Sequence, residues 1–447
     1  MLVLLTRRFS RIKAAGGLII LHTAQCQPKD STSIIVTNLL SIAVSTIAFW
    51  GCGFAFAVGD PSSSNFYLSH TKFFLIDASI SDFERFVPEV CLTSLIIVLV
   101  NSGFVSRLRH WIYPFVAILV SGFTYPCVRH WTSSDDGWLA KGIEYSDGAQ
   151  VKYRDKYGAG YLHVFAGSAS LIGTILLSAR KERQKKNFPP LDGQITPLML
   201  VGGTLAFGGL MSKNFGTSQG FVNNILAAHA SALVAYGFKR LELRGNISGT
   251  KAFLNGAIAG LVSVSCDPDT YHSYGGFVIG VVGGLAFVFW NFILHSLHID
   301  DPTQTVSVNL GCGLWALLAG PLFRSRGILY NGSTVNFRDF GWNLLGGVAI
   351  FVWSGISLFI LLIVLVLFKV AKNNDIRVSE AGMDIIEHNE PAYPDHDSYS
   401  HIKTDGLSNI FMDRLTSKND FINDSSYIPK LESDGIRNPR ELYFQMS

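Results

Sequence analysis

Ten apolar runs, each near the length of a bilayer's hydrocarbon core, leave few folds open to this chain. A spanning helix needs about 20 mostly apolar residues. Such runs occupy 33–58, 88–107, 110–129, 157–179, 195–213, 219–238, 252–266, 274–296, 304–323 and 341–370, of which 252–266 is short and relies on its neighbours. An eleventh segment, 10–26 (RIKAAGGLIILHTAQCQ), is interrupted by charge. Charged residues make up 15% of the chain, below the roughly 25% of soluble domains, and mean hydropathy is +0.30. The 43 glycines suit membrane helices that approach closely. The expected fold is an all-α membrane protein with eleven transmembrane helices, or ten if 10–26 does not span. Two inverted five-helix halves plus a C-terminal helix fit that count, as in inverted-repeat transporters, although the sequence itself displays no such symmetry.

Eleven spans put the termini on opposite sides. Basic residues favour the cytoplasmic side. With the N-terminus outside, the short connections 180–186 (RKERQKK) and 239–251 (Lys239, Arg240, Arg244, Lys251) fall inside. The loop 130–156, with Lys141, Lys152, Arg154 and Lys156, runs against the pattern. The N-terminus MLVLLTRRFSRIK carries its charges after its first apolar residues, the wrong order for a cleaved signal. Residues 1–370 are therefore read as the membrane domain. Residues 371–395 form a cytoplasmic segment and 396–447 a disordered polar tail, whose end, ELYFQMS, resembles a protease site lacking one residue. Asn331 starts an N-G-S sequon in a predicted outer loop, while Asn246 and Asn423 fall on the predicted inside. The six cysteines are scattered with no C-x-x-C pair, so no metal site is indicated, and the net charge of +3 gives no reason to expect nucleic acid. No phosphate loop, dinucleotide fingerprint or nucleophile elbow is present, and neither an enzyme nor a cofactor is expected.

Seven segments resemble the ammonium transporter/Rh family, its metazoan branch especially. They are KDSTSIIVTNLL with IAFWGCGFAFAVGD (29–60), GFTYPCVRHWTSSDDGWL (122–139), DKYGAGYLHVFAG (155–167), ARKERQKKNFPP (179–190), LNGAIAGLVSVS (254–265), HIDDPTQTVSVNLGCGLWALLAGPLF (298–323) and GMDIIEHNEPAY (382–393). They follow the family's order over most of the chain. The likeness fails at the first helix, where a Gly-Phe-Ala-Met-Leu-Glu-Ala-Gly-like run is replaced by LIILHTAQC.

The resemblance implies a trimer, homomeric or mixed, with an apolar pore through each subunit. In such a pore aromatic faces and a hydroxyl hold the cation outside, two Phe close the mouth, and two His line the middle. Asp155 matches the Asp that supports the outer site, and an Asp there also suits a helix N-cap. His163 matches the first pore His, where a packing role is the plain alternative. The second pore His falls at Asn309, which hydrogen-bonds but takes no proton near neutral pH. The first gating Phe falls at Leu92, and the outer Trp at Ser133, with Trp131 as a substitute ring. Thr217 keeps the vestibule hydroxyl. The second gating Phe falls at Lys213, a costly residue inside a membrane unless it pairs with Asp155 or Glu89 or reaches outward along its stem.

The resemblance implies ammonium or ammonia transport across the plasma membrane. The losses at Leu92, Ser133, Lys213 and Asn309 support an alternative, a transport-inactive relative acting as a regulatory subunit or ammonium sensor. Carbon dioxide or water as substrate also stays open. The tail motif, Gly382 to Tyr393, resembles the segment that couples subunits, with Asn389 where a Gly is usual.

Overall fold

A computed structural model describes residues 10–59, 64–180, 195–241, 249–371 and 382–393. Most of the basic connection 180–186, the positions Arg244, Asn246 and Asn423, and the tail 396–447 lie outside the described residues. Among the described residues eleven long helical segments follow in order. They are α1 Ser10–Gln25, α2 Pro28–Val58, α3 Ile80–Ser102, α4 His110–Lys141, α5 Ala159–Leu177 and α6 Thr196–Lys213. After these come α7 Ser218–Leu241, α8 Gly249–Val264, α9 Ser273–Ser296, α10 Val306–Phe323 and α11 Thr334–Leu367. Seven of them, α2, α4, α5, α7, α9, α10 and α11, are long and apolar enough to cross a membrane. The weak segment 10–26 is a helix, and with 16 residues each α1 and α8 are shorter than a usual span.

Burial separates the inner helices from the outer ones. In α5 and α10, 78% and 72% of the spanning window is buried, against 33% in α9 and 28% in α11. So α5 and α10 form the centre, and α9 and α11 turn Leu, Ile, Val and Phe side chains outward, as a lipid-facing helix does.

Most apolar runs are helices with bounds shifted by a few residues. The start that moves most is that of 88–107, which becomes Ile80–Ser102. The Asp82 carboxylate accepts from the Ser79 amide at 2.8 Å in a capping box, so the helix starts in a charged stretch and runs through Pro88. An apolar run marks only the part of a helix that lipid or core covers.

The first helix owes its place to glycine. A Cβ on Gly17 would lie 2.2 Å from the Ala206 backbone nitrogen, so α1 and α6 touch backbone to backbone.

The two central helices run antiparallel. Arg180, past the end of α5, pairs with Asp300, before α10, at 2.7 Å. At the other end Asp339 of α11 meets both Arg154, before α5, and Arg324, after α10. The Asp155 side is called upper below, and the Asp301 side lower. A short hairpin pairs Ile143–Glu144 with Gln150–Val151 between α4 and α5.

On the lower side the segment 382–393 is a turn rather than a bare polar loop. Asp384 accepts from the amides of Thr32 and Ser33 at 3.0 and 2.8 Å, near the start of α2. Asn389 has φ 52°, a left-handed conformation that Asn tolerates.

The glycine contact gives a paired test. Gly17→Ala drives a methyl into the α6 backbone, whereas nothing lies within 4 Å of a Cβ on Gly16. Overpacking costs about 1–3 kcal/mol. Gly17→Ala should lower the thermal-unfolding midpoint in detergent by several degrees, and Gly16→Ala should hold or raise it. Equal midpoints would contradict the packing.

Candidate functional site

A helix leaves its first four amides without intrahelical partners, and at the start of α5 one carboxylate takes them all. Asp155 Oδ1 accepts from Gly158 and Ala159 at 2.8 and 2.7 Å. Its Oδ2 accepts from Gly160 at 2.7 Å, from Tyr161 at 3.3 Å and from the Tyr153 hydroxyl at 3.1 Å. Gly158 has φ 94°, which lets the chain turn into the helix beneath the carboxylate. The first residues of α5, Ala159–Val164, form a π-helical turn that contains His163.

The lower end of α10 repeats this arrangement. Asp301 accepts from the Thr305 and Val306 amides at 3.1 and 2.8 Å. A π-helical turn, Val306–Gly311, follows and contains Asn309. Asn309 lies eight residues after Asp301, as His163 lies eight after Asp155. The two meet at the centre, His163 Nδ1 to Asn309 Oδ1 at 2.8 Å.

This pair fixes a tautomer. The Asn309 amide donates through Nδ2 to the Thr305 carbonyl at 3.0 Å, so Oδ1 is the atom turned to His163. A carbonyl oxygen only accepts, so His163 Nδ1 carries the hydrogen. In the neutral ring Nε2 is then a bare acceptor, and it has no hydrogen-bond partner. A cavity of about 10 Å³, measured for the centre of a water-sized sphere, lies beside the pair. That is room for about one water-sized molecule. Leu18, Leu21, Leu99 and Leu210 line it together with His163, Asn309 and a residue that no sequence motif marks, His22. His22 is 4% exposed, and its Nδ1 also has no partner.

Beneath the cavity runs a polar chain. Gln25 donates to Asn255 at 2.8 Å, and Asn255 donates to Gln304 at 2.8 Å. Lys251 is buried there and donates to the Pro302 carbonyl at 2.8 Å, shortly before α10.

Above the cavity stands Lys213, three residues beyond the cavity-lining Leu210 on α6. It is half-buried, and its ammonium donates to the Tyr157 carbonyl, shortly before α5. Lys213 does not pair with Glu89, because Glu89 is held by Arg129 at 2.7 Å. Nor does it bond to Asp155, whose oxygens face the α5 amides.

The remaining expected residues do not gather at this cavity. Leu92 is buried within α3 away from it. Ser133 is exposed and accepts from Arg129. Trp131 is buried against Trp138 and Trp353 and donates to the Tyr67 carbonyl at 2.8 Å. Thr217 is exposed on the α6–α7 turn. Its hydroxyl donates to Asp269 at 2.9 Å and accepts from the Gly220 amide at 3.1 Å, so it caps α7.

Asp269 ties the upper loops together. It accepts from Lys156, Tyr157, both amides of Gly216 and Thr217, and the Thr217 hydroxyl. No single-residue signal marks Asp269 or Asp301, since loop carboxylates are common. The repeated eight-residue spacing is the available sign for Asp301, and a histidine in an apolar helix is the one for His22.

The chain and its fold are similar to those of known proteins. The Ammonium Transporter Family profile matches residues 10–393. Ammonium transporter 1 member 3 of Solanum lycopersicum is 25% identical over 425 residues, covering 84% of this chain and 89% of that one. Among solved structures, the "Sensor Amt Protein" superposes with a TM-score of 0.77 at 19% identity, covering 87% and 97% of the two chains. Candida albicans Mep2 superposes at 0.71 with 18% identity, covering 83% and 85%. These superpositions establish a shared fold.

The Asp269 cluster has a pH signature. Burial alone would raise its carboxyl, but hydrogen bonds from Lys156, Tyr157, Gly216 and Thr217 outweigh that and hold it well below the ordinary 3.8. A depressed folded value means the stabilisation is complete above about 3.8 and is lost as pH falls through the folded value. Asp269→Asn should loosen the 214–217 turn to proteolysis at pH 7 and remove the wild type's extra sensitivity below pH 3.8. Matching pH profiles for the two proteins would contradict the assignment.

Proposed function

Because the chain belongs to the ammonium transporter family, we propose that ammonium or ammonia crosses the membrane through the cavity between α5 and α10. The protein is a multi-pass membrane protein and a transporter, not an enzyme. The observation that carries the route is the partnerless Nε2 of His163 beside a cavity of single-molecule size, lined by leucines and by a few polar side chains. A narrow apolar path with few polar stations suits a small hydrogen-bonding molecule. His163 supplies one station and Asn309 sets its tautomer. Asp155 holds the helix that carries His163.

All eleven helices span a plasma membrane, in two inverted five-helix halves plus α11, and each subunit of a trimer, homomeric or mixed, has its own pore. The upper side is outside and the C-terminus cytoplasmic. Supporting this, Lys239 and Arg240 end α7 on the lower side, and two basic residues of the upper loop are paired, Lys156 with Asp269 and Arg154 with Asp339. The exposed Asn331 sequon is then open to glycosylation. The segment 382–393 lies on the cytoplasmic side, where a subunit-coupling role fits.

Lys213 favours a second reading, a transport-inactive member acting as a regulatory subunit or ammonium sensor. Its ammonium stands where a substrate cation would bind, as a tethered plug. Replacement of Phe by Leu92 and of Trp by Ser133 removes rings that would attract a cation. Thr217, as the expected vestibule hydroxyl, would have to exchange its Asp269 bond for the substrate.

Methylammonium uptake into proteoliposomes separates the readings. Uptake above empty vesicles supports conduction, and background uptake supports the inactive reading. Lys213→Phe should raise ammonium-driven current several-fold. An unchanged current would sink the plug.

A further inference from the structure

We propose that His22 provides the second imidazole of the path, replacing from α1 what α10 lacks at Asn309. The inference rests on the reading of the α5–α10 cavity as the conduction path. Leu18, Leu21 and His22 form one helical face, at the i, i+3, i+4 spacing, and all three line the cavity with His163. The backbone contact at Gly17, next to Leu18, holds that face in place. One turn further, Gln25 is tied to Asn255, which also lines the cavity.

Buried polar groups mostly find a hydrogen-bond partner. His22 is 4% exposed and its Nδ1 has none; the buried Nδ1 of His130 also has none, so what sets His22 apart is its place on the cavity wall. His163 and His22 both line the cavity, and each has one buried ring nitrogen without a partner, His163 Nε2 and His22 Nδ1. Their surroundings otherwise are leucines above and the amides and hydroxyls of Asn255, Thr303 and Thr305 below. His163 presents an acceptor, fixed by Asn309. His22 has no such partner, so its ring is free to present either an acceptor or a donor. A molecule with several N–H groups, of ammonia or methylamine size, matches both stations in turn. His22 is therefore a specificity-determining hydrogen-bonding residue for a small amine.

The test uses the full chain with ¹⁵N-labelled imidazoles, in lipid, titrated with methylammonium chloride against potassium chloride. Resonances are assigned with His22→Gln and His163→Gln. Shifts at both rings with methylammonium alone support the proposal. A shift at His163 only overturns it and leaves the conduction reading standing. Shifts at neither ring overturn both. In proteoliposomes made with Lys213→Phe as background, His22→Ala should lower methylammonium flux by roughly tenfold, the loss of about one buried hydrogen bond. His22→Gln, near in size and still hydrogen-bonding, should recover most of it and covers the case in which the alanine variant fails to fold. Equal flux for all three proteins would overturn the assignment.

Discussion

A helix that begins inside an apolar bundle has amides that neither lipid nor leucine will satisfy. Here one carboxylate on each side of the molecule removes that penalty. Asp155 takes four amides of α5 on the upper side, and Asp301 takes two of α10 on the lower. Each thereby fixes the depth at which its helix starts, and so the level of the residue eight positions on. Because the helices are antiparallel, those two levels coincide, and His163 meets Asn309 at 2.8 Å. The π-helical turns at both starts belong to the same device: they widen the first turn where the pair must face inward rather than pack.

Other buried charges obey the same constraint by other means. Arg180 pairs with Asp300, and Arg129 with Glu89. Lys213 and Lys251 instead donate to backbone carbonyls just ahead of α5 and α10. Each bond pins the connection leading into a central helix, so position and charge at the two ends of the cavity are set by the same side chains.

Much of this architecture is legible in the residues alone. Apolar runs locate ten of the helices, because lipid imposes a length and a composition that sequence displays directly. The start of α3 is hidden, since its first turns are charged and rely on the Ser79–Asp82 cap. The role of Asp155 follows from its position, and its capping is what the structure shows. The likeness between the two helix starts is hard to see in the sequence, because the eight-residue spacing ends in His163 after Asp155 and in Asn309 after Asp301. Thr217 keeps its residue type while its hydroxyl goes to Asp269, a partner 52 residues away that no local motif reveals. His22 is hidden for a different reason. A lone histidine in an apolar helix is usually packing, and only the cavity and the partnerless nitrogen separate the two cases.

The lysines bear on what kind of passenger the proposed path favours. An ammonium near each end of a narrow cavity, Lys213 half-buried and Lys251 buried, repels a cation more strongly than it would in water, because the surroundings screen less. A neutral molecule meets no such barrier. It encounters hydrogen-bonding nitrogens at His163 and His22 and leaves along the amides of Asn255 and Gln304. Selection by charge would then precede selection by size. Leu92, Ser133 and Lys213 offer no aromatic face to a cation, and a cation–π site only serves a passenger that arrives charged.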